Sequence, residues 1–556
     1  MKSKKILAVL LTATMLISTA LLGCGGKDKS GAGSGGSDKG QFINAVTATI
    51  RTLDSGKATD EASFCAVGQS FEGLLRYNEE KQENAGAEKV DVSEDKKTYT
   101  FTLRDNTWSD GKKVTAKDYE YAWKRLINPD TKASYASFLF PVKNAENYYG
   151  GKAKIEDVGI KAVDDKTLKV ELEAPTPYFL GLVSFPALSP LRQDIVEKLG
   201  DKYGSDPSQM VFNGPFVVGK WQRGAKMELK KNDKYWDAKN IQLSNVNLVD
   251  IKEMPTRYQM FEKKEVDVTA ATGEYVEKFK KYSESGKADY VEGIMPTSFY
   301  MEMNVAGKNK ILTNAKVRRA LSLAMDRDNY VKNVYKRGFV SYSLIPNGLH
   351  VGDKVFRDLA EEPLKKLVDE KKDPKALFIE GLKELGLNPD PSKYTVGYLP
   401  QGADTQERLY AEYFQNQWKS KIGVNVRIDA AADFSDYLDK LIKGNFEIAM
   451  SGWGADYADP DSFLTIFRSG DGNNHGKFSN KEYDQLLDKI RVEADFNKRV
   501  ELIKQAENLL VVKEAALAPV FNKDRRMFVQ KYVKGVQYPD FGGTFEFRWA
   551  SAADRK

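Results

Sequence analysis

Thiol and imidazole are nearly absent: the 556 residues contain two cysteines and two histidines. A Cys/His zinc centre needs about four ligands of these types, all that the chain has, so this class is nearly excluded. The sequence also lacks His-Glu-x-x-His, lacks a Gly-x-Ser-x-Gly elbow, and follows no Gly-Lys pair with the Ser or Thr that a P-loop requires. No cofactor is expected, and no nucleophile–base pair is recognisable. Charge of one sign is lacking too, because 85 basic residues face 79 acidic ones for a net +6. Such an excess gives no reason to expect nucleic acid as a partner. What is present is a globular composition, with 41% hydrophobic and 11% aromatic residues, enough for a large core.

The only long uncharged apolar run is at the start, MKSKKILAVLLTATMLISTALLGC. Three lysines precede Ile6–Leu22, and Leu21-Leu22-Gly23-Cys24 resembles the lipobox of bacterial lipoproteins. Residues 1–23 then form a signal peptide and Cys24 becomes the lipidated first residue of the mature chain. The alternative is an uncleaved anchor, but the run is short of the ~20 residues a span prefers. Residues 25–40 contain no apolar side chain larger than Ala and read as a flexible tether, so 24–40 separates the lipid from the body. Only Cys65 remains in the body. It cannot form an internal disulfide and reads as a small buried residue.

Strand and helix patterns alternate after that. In Thr98–Leu103, Tyr99, Phe101 and Leu103 alternate with threonine. Leu168, Val170 and Leu172 do the same with polar residues, and Val424–Ile428 is a third strand. Thr115 and Asp118 have capping-box spacing ahead of Tyr119, Ala122, Trp123 and Leu126 at helical intervals. Ser479 with Glu482 predicts another start, before Tyr483, Leu486, Leu487 and Ile490. Val317, Ala320, Leu321 and Ala324 mark a third helix after Asn314. The mixture implies an α/β or α+β body. Trp108-Ser-Asp-Gly111 has turn chemistry, and Trp123, Tyr235 and Trp236 read as core residues.

Several segments, in order, resemble the extracellular solute-binding proteins of family 5, the oligopeptide, dipeptide and nickel receptors of ABC importers. They are Phe71-Glu-Gly-Leu-Leu75 with Tyr77, the stretch YTFTLRDNTWSDGKKVTAKDYEYAW from Tyr99 to Trp123, Asn213-Gly-Pro-Phe216, Tyr235-Trp236, Val317–Leu321 with Met325–Asp328, and Gly452-Trp-Gly-Ala-Asp-Tyr457 with Asp459-Pro460. The resemblance implies an α/β two-lobed clamp of the periplasmic-binding-protein type with an inserted domain. Domain I would comprise 41–84, 209–296 and 524–556, domain II 85–208, and domain III 297–523. It also implies a non-enzymatic, monomeric receptor that captures oligopeptides by closure and delivers them to importer permease subunits.

The same resemblance assigns the site. Asp456 matches the aspartate that pairs with a peptide's α-ammonium, with Trp453 and Tyr457 walling that end of the cleft. Tyr135 matches an aromatic that contacts peptide from the inserted domain. Tyr300, Asn213 and Glu72 match cleft-lining positions, and Phe434 matches a tryptophan that lies over a bound side chain. Some oligopeptide receptors place carboxylate-binding arginines where this chain has Leu441 and Met450, with Lys440 and Lys443 nearby. That departure predicts a weak requirement for the ligand's carboxylate and a preference for peptides longer than about four residues. A receptor for a nickel chelate, haem or one signalling peptide remains open beside this reading, as do an extracellular hydrolase and an adhesive lipoprotein.

Overall fold

A computed structural model describes residues 41–78, 81–352 and 354–555. The expected signal peptide, Cys24 and the expected tether lie outside the described residues. The period-two pattern of Thr98–Leu103 forms a strand with Tyr99, Phe101 and Leu103 buried and the threonines partly exposed. It sits inside a four-stranded antiparallel sheet, in the order Ala87–Val92, Thr98–Leu103, Thr167–Glu171, Ile160–Ala162. The helix Ala116–Leu126 lies against this sheet and buries Tyr119, Ala122, Trp123 and Leu126. Asp118 accepts the Thr115 N–H at 2.8 Å, which satisfies a donor left free at the helix start. The Trp123 indole donates to the Leu188 carbonyl at 2.8 Å, so its polar edge is satisfied inside the core. The Trp108–Gly111 turn closes through the Gly111 N–H and the Trp108 carbonyl at 2.7 Å, with Gly111 at φ +93°, a conformation that favours glycine.

One expected helix start is corrected. Ser479 does not cap the helix Lys481–Val492; Asn480 does, accepting the Tyr483 N–H at 3.1 Å. Asn is as good a cap as Ser, and the Ser479 hydroxyl is hydrogen-bonded to Ser469. The expected apolar face survives: Tyr483, Leu486, Leu487 and Ile490 are all buried. Asn314 caps Ala315–Leu323 as its position suggests. Trp123 and Tyr235 are buried, whereas Trp236 is only partly so.

The frame of the molecule is an eleven-stranded mixed sheet. At its centre two long strands, Ala288–Met303 and Leu517–Gln530, pair antiparallel. One half of the sheet continues from Leu517–Gln530 through Val268–Ala270, Phe42–Thr47, Asn245–Asp250, Lys226–Lys231 and Phe216–Gln222. The other continues from Ala288–Met303 through Ile448–Gly454, Thr395–Leu399 and Asn425–Ile428. The central pairing shifts register between Ile294 and Ser298, where a bulge bends the ladder. Each side of that bend has its own packing. Phe261, Val266, Phe279 and Phe528 cluster on one side, and Met301, Leu321, Phe414, Trp418 and Ile448 on the other. The result is two α/β lobes joined by continuous strands. No helix among the described residues is long and apolar enough to cross a membrane.

Candidate functional site

A cavity of about 650 Å³ lies between the lobes, within the usual range for small-ligand sites. Its walls come from both halves of the large sheet and from the segment around Tyr135 and Phe185. Several contacts bridge the walls. The Arg51 guanidinium pairs with Asp439, Lys252 reaches Asp433 at 3.5 Å, and Asn473 Nδ2 donates to the Ser134 carbonyl at 3.1 Å. Glu146 receives Arg491 at 3.2 Å and Arg468 at 3.5 Å. These contacts describe closed lobes.

The strand Ile448–Gly454 carries the Gly-Trp-Gly-Ala-Asp motif to the cavity edge. Gly452 is required there because a Cβ would stand 2.8 Å from the Phe299 ring. Trp453 lies over Tyr135 with ring centroids 6.1 Å apart and planes 25° apart. Asp456 follows, its own N–H held by the Ser462 hydroxyl at 2.8 Å. Its Oδ1 accepts the Tyr135 hydroxyl at a long 3.4 Å, and its Oδ2 has no partner. No cation lies within ion-pair distance, although the residue is only 5% exposed. Burial pushes the carboxyl well above the usual aspartate range; the Tyr135 hydrogen bond opposes this, Asp471 adds to it, and the nearby Trp453 indole, too poorly directed for a formed hydrogen bond, opposes it weakly. The Trp453 indole N–H is likewise buried and unpartnered. A buried carboxylate with a free oxygen beside two aromatic rings is suited to an incoming ammonium group.

Tyr300 and Phe434 also line the cavity. Tyr300 is 2% exposed and packs edge-on to Phe467. Phe434 opens the helix Phe434–Ile442 and stacks on Tyr437. Three other residues singled out in the sequence lie off the cavity wall. Asn213 is wholly buried and clasps the backbone of residue 72, accepting its N–H at 3.0 Å and donating to its carbonyl at 3.1 Å. The Glu72 side chain turns to Arg548 and Arg76, at 3.4 and 3.3 Å, and to the Tyr235 hydroxyl. Burial alone would raise its pKa, but Arg548 and Arg76 outweigh that and hold the carboxyl below its ordinary value. Tyr457 faces the opposite way from Asp456. It stacks on Tyr178, 5.2 Å between centroids, and donates to Asp461 at 3.1 Å. Just beyond, Asp459 and Arg499 form a buried bidentate pair at 2.9 Å, which fixes the loop behind the motif.

Leu441 lines the cavity, whereas Met450 packs into the apolar cluster behind it. Lys440 is tied to Asp436 at 2.8 Å, and neither Lys440 nor Lys443 borders the cavity. The sequence reading missed Arg257, Asp404 and Glu407, which do border it. Asp404 caps the helix Thr405–Lys421, accepting the N–H groups of Gln406 and Glu407. Its Asp-x-x-Glu spacing was a visible signal. Arg257 carries no comparable local pattern. Among the described residues no group of three His, Cys, Asp or Glu is placed to hold a metal ion.

Comparison with known proteins gives a consistent match. The profile for bacterial extracellular solute-binding proteins, family 5 Middle, matches residues 81–475. The oligopeptide-binding protein OppA of Bacillus subtilis is 34% identical over 550 residues, 96% of this chain and 98% of its own length. The structure of Listeria monocytogenes OppA bound to peptide is 31% identical, covers 93% of this chain and 99% of its own, and superimposes with a TM-score of 0.84. An unliganded open form of the murein tripeptide-binding protein MppA covers 92% of this chain and 98% of its own at 25% identity, with a TM-score of only 0.57. The weaker fit to an open form agrees with the closed contacts above.

Proposed function

Because the chain belongs to the bacterial extracellular solute-binding proteins of family 5, which bind rather than transform their ligands, we propose that it captures oligopeptides outside the cytoplasm and hands them to the permease of an ABC importer. The observation that carries this reading is the buried carboxyl oxygen of Asp456, without a hydrogen-bond partner, at the cavity between the two lobes. A receptor for many peptide sequences must hold what all peptides share, and the α-ammonium is the one fixed charge at their start. Trp453 and Tyr135 wall that end, Tyr300 and Phe434 bound the space for side chains, and Glu72, Asn213 and Tyr457 support the wall from behind. Peptide backbone can add to strand edges, and water can adapt the pockets to different side chains. Calorimetry with one peptide in free and N-acetylated forms tests the reading. Tight binding of the free form only is expected, and equal affinities would remove Asp456 from this role.

The finer parts of the account belong to the same proposal. Domain I takes 41–84, 209–296 and 524–556, domain II 85–208, and domain III 297–523. The register shift between Ile294 and Ser298, opposite Asn522 and Asp524, supports two of these boundaries. The leader and Leu-Leu-Gly-Cys24 support a chain tethered by lipid to the outer face of the membrane, and the monomeric state belongs to the same proposal. Mass spectrometry of the mature N-terminus should find an acyl group at Cys24, and an unmodified cysteine there would refute the anchor.

A further inference from the structure

The cavity is charged opposite to the chain. The chain is +6 overall, yet nine carboxylates line the cavity against three lysine and arginine side chains. Three of the nine are ion-paired: Glu61 with Lys523 at 3.7 Å, Asp433 with Lys252 at 3.5 Å and Asp540 with Arg525 at 2.5 Å. Asp60, Asp250, Glu253, Asp404, Glu407 and Asp456 are in no ion pair, and of the cavity's three cations only Arg257 is likewise unpaired among the described residues.

Three of these carboxylates act on Arg257 from both lobes, Asp250 and Glu253 from one and Asp404 from the other, and Glu407 lies beside Asp404. None reaches Arg257 within ion-pair distance. Burial lowers the Arg257 pKa to about 10 despite the attraction of Asp250, Asp404 and Glu253. All of them border the cavity. Some of their charge has structural duties: Asp404 caps its helix, and Asp250 accepts the Thr49 hydroxyl at 2.5 Å. Glu407 accepts only the Gln401 N–H, at 3.3 Å. Burial first, and then Asp404, push its carboxyl up to about 7. Independently, the same cavity holds Asp456, 95% buried by its 5% exposure and with one oxygen unpartnered.

A neutral peptide brings one ammonium, which pairs with Asp456, and one carboxylate, which adds to the excess. The remaining unpaired carboxylates still outnumber Arg257. From this balance we infer that the receptor selects peptides carrying lysine or arginine side chains, with Asp250, Glu253, Asp404 and Glu407 as the subsite that receives the cationic group. This rests on the peptide-receptor reading above and names the ligand class within it.

The test is calorimetry on the folded body with alanine hexapeptides carrying one lysine, one glutamate or neither, moved through the interior positions. At one interior position lysine should bind about tenfold tighter than alanine and glutamate weaker than alanine. The lysine advantage should shrink in high salt and collapse towards unity in Glu407→Gln. Glu253→Gln, at an exposed position, should reduce it in part and keeps the test open if Glu407→Gln does not fold. Equal binding of lysine and alanine forms at every position, or tighter binding of glutamate, overturns the charge selection while leaving the peptide receptor intact. Failure of every hexapeptide to bind overturns both.

Discussion

Replacing Asp456 with Asn separates a ligand role from a structural one, because the two predict opposite signs. In the free protein the carboxylate has one long hydrogen bond at 3.4 Å, a bare second oxygen and no cation within reach. Such a buried charge costs stability, so an isosteric neutral amide should leave the melting temperature unchanged or raise it. In the complex the same environment strengthens the pairing with an ammonium, since little water competes. Removing the charge should cost about 2–5 kcal/mol of peptide affinity, or about 30-fold to several thousand-fold in Kd. N-acetylation of the peptide should cost the wild type a similar amount and cost the variant almost nothing more, because both changes remove the same pair. Calorimetry supplies the affinities and thermal unfolding the stability. A variant that loses several degrees of melting temperature while binding free and acetylated peptides as the wild type does would refute the reasoning and make Asp456 a structural residue.

Proton release on binding gives a second check on the same group. Burial raises the Asp456 pKa in the free protein well above the usual aspartate value of 3.8, and an arriving ammonium lowers it again. Peptide binding should therefore release protons, and affinity should rise with pH between the pKa of the complex and that of the free protein. Calorimetry in buffers of different ionisation enthalpy measures this, and proton uptake would contradict it. Arg548→Met should destabilise the protein by about 3 kcal/mol or more in urea unfolding, since it strips Glu72 of its strongest partner inside the core. A loss below about 1 kcal/mol would mean Arg76, at 3.3 Å, suffices alone. Amidation of the ligand's C-terminus should weaken binding less than about tenfold, because Leu441 is apolar, Met450 faces the core and Lys440 is bound to Asp436. A larger loss that vanishes in Arg257→Ala would assign the carboxylate to Arg257.

Much of the fold is legible where local chemistry and tertiary packing agree. The strand Thr98–Leu103 and the helix Ala116–Leu126 have one apolar face and one polar face, and each face went where its pattern points. The misplaced cap at Ser479 shows the limit of such patterns. Ser479 and Asn480 are both good caps, and in the fold the Ser479 hydroxyl is taken up by Ser469 while Asn480 caps the helix. The site divides in the same way. Asp456 sits in a motif specific enough to be found without coordinates. Glu72 and Asn213 stand near recognisable motifs too, but their side chains are recruited by Arg548 and by the backbone of residue 72, which no local pattern discloses. Arg257, Asp250 and Glu407 are ordinary surface-type residues in sequence. They become a charged wall only when strands and helices from two lobes bring them together.

The central claim is that this molecule encloses peptides without changing them. Native mass spectrometry of the protein purified from cells, followed by release and sequencing of whatever it retains, tests that most directly. Bound species are expected to be unmodified peptides with free amino termini, displaced by added peptide and recovered intact after long incubation. A retained nickel chelate or haem in their place, or peptide cleavage that tracks the protein through purification and disappears in Asp456→Asn, would contradict it.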